Sequence, residues 1–239
     1  KFGKEIKKVS KIKDKILINF KDNTNDLVDF IVVSDGVFSN TKSIIENKNI
    51  QPIYNGSIAI RTILKDLPNS NYDKNNISLV MLKNAHIVIY PINKIGELNV
   101  VCIIRQKLSN NIDVKELIKK KIISQNKNLE NLFDNQLEYW PIYISKKPTK
   151  SVYENLFYIG DAFYTFPPTM AQGASQSIEA ANELFNLLSK DNKHTSDLFF
   201  KKRLERTKVI NLRSKLNHHI FHFSNPILKR IRNESLKIM

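Results

Sequence analysis

The chain has 239 residues, 41% of them apolar and 26% charged, a balance that supports a buried core and excludes a disordered chain. No apolar run approaches the ~18 residues of a membrane-spanning helix, and the single cysteine, Cys102, excludes an internal disulfide and a cysteine-based zinc site. The closest pair among the six glycines, Gly160 and Gly173, lies thirteen positions apart, so neither a G-x-G-x-x-G dinucleotide loop nor a G-x-x-x-x-G-K phosphate loop is present.

In chain order, IKKV and ILINF (6–9 and 16–20) read as two short strands around the turn KIKDK. LVDFIVVSDG (27–36) is a near-continuous apolar run ending in Asp-Gly, the pattern of a strand buried on both faces, and Ser39 is placed to cap a short helix after it. From 51 to 145 the pattern alternates: NGSIAIRTIL, NISLVML, AHIVIYPI and ELNVVCIIR predict antiparallel strands of one sheet. Within this stretch VKELIKKKII (114–123) has helical spacing, with Leu117, Ile118 and Ile122 on one side, and LEYWPIYIS (137–145) returns to strand.

NLFYIGDAF (155–163) predicts a second buried strand, again ending in Gly-Asp, and Pro167 and Pro168 then force an extended loop. From Gly173 to Lys190 the spacing is helical, with Ile178, Ala181, Leu184, Phe185 and Leu188 as the apolar stripe. A long basic helix is expected over about 195–223, ended by Pro226. Two buried strands that bracket an antiparallel segment predict an α/β fold with an α+β insertion. Residues 1–50 and 148–190 are expected to form one discontinuous domain, 51–147 the inserted sheet, and 191–239 a C-terminal helical region.

The net charge is +15, and residues 201–239 hold eleven Lys/Arg against Glu205 and Glu234. A lysine-rich solvated face is the preferred reading. Nucleic acid is not an expected partner, while peripheral contact of the basic C-terminus with an anionic membrane surface stays open. The chain opens KFGKEIKK, with neither Met nor a signal-peptide pattern, so a fragment or processed chain is expected, with the cytoplasm as default compartment.

The segment YIGDAFYTFPPTMAQGASQSIEAANEL (158–184) carries the strongest chemical signal. Asp161 is predicted just past a strand end, the ligand edge of an α/β sheet, where a carboxylate accepts hydrogen bonds from ligand hydroxyls. Gln172, Gly173 and Ala174 open a helix whose first N–H groups have no internal partner and so favour negative charge. Spacing alone leaves this platform and an ordinary Asp-capped strand–loop–helix turn evenly matched.

The segment resembles the "GD" motif of the FAD-dependent aromatic hydroxylases, the single-component flavoprotein monooxygenases of the p-hydroxybenzoate and salicylate hydroxylase type: G-D-A-x-H-x-x-x-P-x-x-x-Q-G-x-N-x-x-x-E-D. Gly160, Asp161, Ala162, Pro168, Gln172, Gly173 and Glu179 match; Tyr164, Ser175 and Ala180 depart from it. Upstream, DFIVVSDGVFSNTK (29–42) resembles the family's "DG" motif, with Asp35, Gly36 and Ser39 matching and Lys42 in place of an arginine. YNGSIAIR (54–61), AHIVIYPINKIGELNVV (85–101) and SKLNHHIFHFSNPILKRIRN (214–233) are softer likenesses to the substrate sheet and the C-terminal tail.

The resemblance implies an incomplete FAD-binding Rossmann-like domain, without the glycine-rich β-α-β unit, interleaved with a substrate sheet. It implies FAD as cofactor, NADH or NADPH as reductant, and molecular oxygen and a phenolic or quinone-precursor aromatic as substrates, hydroxylated through a C4a-hydroperoxyflavin. Asp161 would hold the ribityl chain, Gly160, Pro168, Gln172, Gly173 and Ala174 would line the flavin, and Asp35 and Gly36 would serve its pyrophosphate region. Arg61 and His86 would meet the substrate. The alternatives are a non-catalytic remnant or binding subunit completed by a partner chain, or a basic surface-binding protein.

His218 and His222, four apart on a predicted helix, have the spacing of two metal ligands, but no third ligand is near in sequence and exposed positions are expected. Cys102, within an apolar strand, is expected to be an inert buried thiol.

Overall fold

The computed structural model describes residues 2–65, 75–92, 96–109, 111–190 and 194–238; the turn of the expected 85–101 hairpin, at 93–95, and the boundary at 191 lie outside them. The first elements are β1 (Ile6–Ile12), β2 (Lys15–Phe20), β3 (Asn25–Val28), β4 (Ile31–Val33) and α1 (Asn40–Glu46). Then come β5 (Ile53–Leu64), β6 (Ser78–Leu82), β7 (Ala85–Pro91), β8 (Leu98–Arg105), α2 (Val114–Ile118) and β9 (Glu138–Ile144). The last are β10 (Leu156–Tyr158), α3 (Gly160–Phe163), α4 (Gly173–Leu188), α5 (Thr195–Phe221) and α6 (Pro226–Ile238). Two units form: Lys1–Ile53 with Tyr143–Lys215, and Tyr54–Ile142 with Leu216–Met239.

In the first unit, β1, β2 and β3 make an antiparallel sheet in that order, with Val9 opposite Ile18 and Ile16 opposite Val28. β4 and β10 pair in parallel, Ile31 to Leu156, Phe157 to Val32 and Tyr158 to Val33. Strand β10 is buried on both faces, as expected: Leu156 and Tyr158 pack with Val33, Ile45 and Ala162, while Phe157 packs with Ala180, Leu184 and Phe199. The expectation of one doubly buried strand over 27–36 is corrected. The run breaks at 29–30 into β3 and β4, and Leu27, Phe30 and Val32 are 52%, 54% and 47% exposed. Alternation of side chains places Val33 in the core and Val32 on an uncovered face.

The buried stripe of α4 also differs from the predicted one. Gln176, Ala180 and Leu184 face inward, whereas Ile178 and Phe185 are 72% and 68% exposed. A buried glutamine is admitted because Arg203 satisfies its carbonyl oxygen at 2.7 Å; burial without that partner would be costly.

In the second unit the strand order is β6-β7-β8-β5-β9. The register, Ile58 to Ile104 and Leu64 to Leu98 across β5–β8, and Ile87 to Cys102 across β7–β8, puts Ile58, Ile60, Ile87, Ile89, Val100, Cys102 and Ile104 on one face. They pack against Leu117 and Ile118 of α2, Ile122 of a π-turn (Lys119–Ile123), and Leu129 and Leu132 of a 3-10 segment (Lys127–Phe133). Each such aliphatic side chain contributes roughly 1.5–3 kcal/mol on burial. Cys102 is fully buried, and burial pushes its thiol above its ordinary pKa, so it is an inert core residue. Ser57, Arg61, His86, Asn99 and Arg105 fall on the opposite face. The long basic helix ends at Phe221, before Pro226, as expected; Pro226 also opens α6, where its missing N–H is no loss, and Asn225 Oδ1 accepts from Ile227 N at 2.9 Å.

Candidate functional site

Pairing of β4 with β10 brings the two Gly/Asp turns to one edge, and the ladder runs on through Ile159 N to Val33 O at 3.0 Å. Ser34, Asp35 and Gly36 leave that edge from β4, and Gly160 and Asp161 leave it from β10. Asp35 Oδ2 accepts from Thr41 N at 3.4 Å, and Gly36 takes φ +86. Ser39 caps α1 as predicted, its hydroxyl accepting from Lys42 N at 3.0 Å.

Lys42 is 3% exposed, and its ammonium donates to Ala162 O at 2.8 Å. Burial lowers its pKa, while Asp35 and Glu46 pull it back up. Glu46, also buried, accepts from the Tyr158 hydroxyl at 2.7 Å; burial and this bond together raise the tyrosine's pKa. The helix behind the first turn is thereby fastened to β10 and to the residues behind the second turn.

Gly160 takes φ +57, and a Cβ there would stand 2.6 Å from Ser177 Oγ. Only glycine suits both the left-handed backbone and this approach of α3 to α4. Asp161 sits in the first turn of α3. Its side chain is exposed on one side and has no cationic partner among the described residues. The protein around it raises its carboxyl above the usual range. The following loop is pinned by Ser145 N to Thr165 O and Thr165 N to Ser145 Oγ, both at 2.9 Å. Thr169 Oγ1 bonds Ser214 O at 2.7 Å, and Pro168 stands exposed on that loop. At the start of α4, Gln172 provides no side-chain cap, and Gly173, Ala174 and Ser175 are exposed, so their N–H groups remain open to a ligand.

Sequence reasoning missed the support beneath that helix start. Arg203 of α5 is 2% exposed and donates to Gln176 Oε1 at 2.7 Å and Glu179 Oε1 at 2.9 Å. Arg206 bonds both Glu179 oxygens at 3.0 and 3.1 Å. Burial pushes the Glu179 carboxyl up, but the bonds from Arg206, Arg203 and Gln176 outweigh it and hold it below the usual range. The available signal was an arginine pair spaced i, i+3 on a helix whose other cations are mostly lysine.

In the second unit Arg61 donates from Nε to Asn99 Oδ1 at 2.6 Å. It opens on a cavity of about 870 Å³ with Thr62, Asn135, Gln136 and Glu138. His86 lines no such opening: it is 1% exposed and bonds His222 at 2.7 Å. The expectation that His218 and His222 are exposed is corrected; they are 8% and 2% exposed.

HpxO of Klebsiella pneumoniae, solved with FAD and uric acid, superposes with a TM-score of 0.86 at 14% identity, over 99% of this chain and 63% of that one. A salicylate hydroxylase substrate complex gives 0.81 at 15%, over 97% and 64%. The 2,6-dihydroxypyridine-3-hydroxylase from Arthrobacter nicotinovorans gives 0.67 at 18%, over 90% and 64%. These likenesses establish the fold, and the chain spans just under two thirds of those structures' length. Residues 28–239 match the family described as "SE: Squalene epoxidase", and the chain belongs to that family. No curated protein matches it.

Proposed function

We propose that the chain is the larger part of an FAD-dependent monooxygenase that uses NADH or NADPH and oxygen to hydroxylate an aromatic substrate, phenolic or quinone-precursor in type. The observation that carries this is the β4–β10 register, which brings Asp35 and Asp161 to one edge. FAD fits the residues present. Asp161 is a carboxylate with no protein partner among the described residues, Gly160 before it takes the left-handed backbone that suits glycine, and the start of α4 is uncapped. When bound, FAD supplies the electron transfer and oxygen activation. Asp161 would accept from ribityl hydroxyls, the N–H groups of Gly173 and Ala174 would stabilise negative charge at the ring edge, and Asp35 and Gly36 would serve the pyrophosphate region. Pro168 and Gln172 set the loop and helix start. Arg61, at the mouth of its cavity, would anchor an anionic substrate group; His86, buried against His222, takes no part in that contact.

The exposed apolar side chains Phe30 and Val32 beside β4, and Ile178 and Phe185 on α4, support completion of the first unit by a β-α-β unit, on the same polypeptide or a partner chain. The test is the protein expressed from its complete reading frame. A yellow protein whose NAD(P)H consumption rises with phenolic acids or quinone precursors supports the proposal; a colourless protein with no such consumption favours a non-catalytic binding subunit.

A lipophilic substrate met at a membrane is a second reading, supported by the family match and by α6. Ile227, Leu228 and Ile231 are 70%, 42% and 58% exposed there, beside Lys229 and Arg230, the make-up of an interfacial helix. Among the described residues no helix is long and apolar enough to cross a membrane. Salt-sensitive sedimentation with anionic vesicles, lost in Ile227→Ser/Ile231→Ser, tests it.

A further inference from the structure

Three imidazoles are packed together on the face of the second unit's sheet opposite Ile87 and Cys102, with no acid among them. His86 Nδ1 of β7 lies 2.7 Å from Nε2 of His222, the residue just past α5. His218, one turn earlier, packs against His222 with centroids 4.5 Å apart and ring planes tilted by 59°, and its Nε2 is 3.5 Å from Ser57 Oγ. Phe221 packs edge-on against His86 at 5.3 Å. Among the described residues, the Nδ1 atoms of His218 and His222 are buried without a hydrogen-bond partner.

The surrounding charges have one sign. Arg105 of β8 reaches His219 Nδ1 at 3.0 Å, and Arg232 of α6 donates to Ile220 O at 3.3 Å. β5 offers only the neutral Ser57, and the β6–β7 turn offers Asn84 N to His222 O at 3.5 Å. Among the described residues no carboxylate pairs with any of the three rings. These contacts fasten the end of α5, and α6 through Arg232, to the sheet.

We propose that His86, His218 and His222 form an acid-released latch, which seats the C-terminal segment 216–238 on the sheet of its own unit while the rings are neutral and frees it when they are protonated. A proton on the His86–His222 pair turns its acceptor nitrogen into a second donor and adds positive charge next to Arg105. Burial first, and neighbouring rings and Arg105 second, hold His86 and His218 down to about 4 and His222 to about 2. The freed rings would titrate near ~6.5. The released state therefore takes protons first. Seating is complete above that value and weakens as pH falls, by roughly 30-fold at about pH 5 for each ring held near 4. The latch needs no bound cofactor.

The test is an NMR titration of the full chain, following its five histidines and the backbone amides of 216–238. The expected result is that the three cluster rings stay neutral to about pH 5 and then titrate together with reversible loss of the segment's native shifts, while the amides of β7 and β8 keep theirs. His219→Gln, at an exposed ring, should leave the transition in place, and His86→Leu/His222→Leu should remove it. Rings that titrate near ~6.5 with the segment unmoved, or a sheet that unfolds in the same step, would overturn the latch; this wild-type result decides the matter if the double variant does not fold.

Discussion

The Lys42 ammonium and the Ala162 carbonyl, 120 residues apart in the chain, meet at 2.8 Å, and this one bond ties the helix behind the first Gly/Asp turn to the residues behind the second. Lys42→Met keeps the aliphatic stem but leaves that carbonyl without its donor. An unsatisfied buried acceptor costs about 1–3 kcal/mol, and urea denaturation of Lys42→Met should show a loss in that range. A smaller loss would mean that water or a neighbour replaces the ammonium.

Gly160→Ala should destabilise through two separable effects, the left-handed backbone and the 2.6 Å approach to Ser177 Oγ. The backbone part costs about 1–2 kcal/mol. In a Ser177→Gly background the steric part disappears and only the backbone part remains. A double-mutant cycle with no coupling between the two positions would contradict the close approach of α3 to α4.

Arg203→Met and Arg206→Met should differ, although both arginines bond Glu179. Arg203 is buried, and breaking a buried ion pair costs about 3–5 kcal/mol; the half-exposed Glu179 can rehydrate, which puts the expected loss at the low end. Arg206 is exposed, where such a pair contributes about 0–1 kcal/mol. Because Glu179 is held below its usual range, its contribution is present above the unfolded carboxylate pKa and is lost as pH falls through the folded one. The acid limb of the stability curve should flatten in Glu179→Gln. An unchanged limb would remove this pair from the account.

Arg61→Gln should raise KM for anionic aromatic substrates by about 10-fold, the loss of roughly 1.4 kcal/mol of binding, with less effect on neutral ones. Steady-state kinetics on matched acid and amide substrates read the difference. Equal effects on both would place Arg61 outside substrate contact.

Both Gly/Asp turns, the β10 strand and the alternating sheet were legible in the sequence because turn chemistry and period-2 burial are local signals. The outward face of Val32 was not: an unbroken apolar run reads as buried on both sides whether or not a neighbour covers it. The α4 stripe was misplaced because Gln176 is buried, and what makes that tolerable, Arg203, lies on another helix. His218 and His222 read as surface residues for a similar reason, since the ring that meets them, His86, is 136 residues from His222. Pro226 was legible as the limit of α5, whereas the helix it opens, capped by Asn225, was not.

Asp161 gives the most direct test. Protein around its carboxyl raises its pKa, so the fold disfavours the charge and loses stability as pH rises through that value, unless a ligand's hydroxyls bind the carboxylate. In the protein from its complete reading frame, Asp161→Asn should lose its flavin, read as visible absorbance per chain, while the flavin-free fold melts no lower than wild type. Flavin content equal to wild type in Asp161→Asn would contradict the claim that this strand-edge carboxylate grips the cofactor.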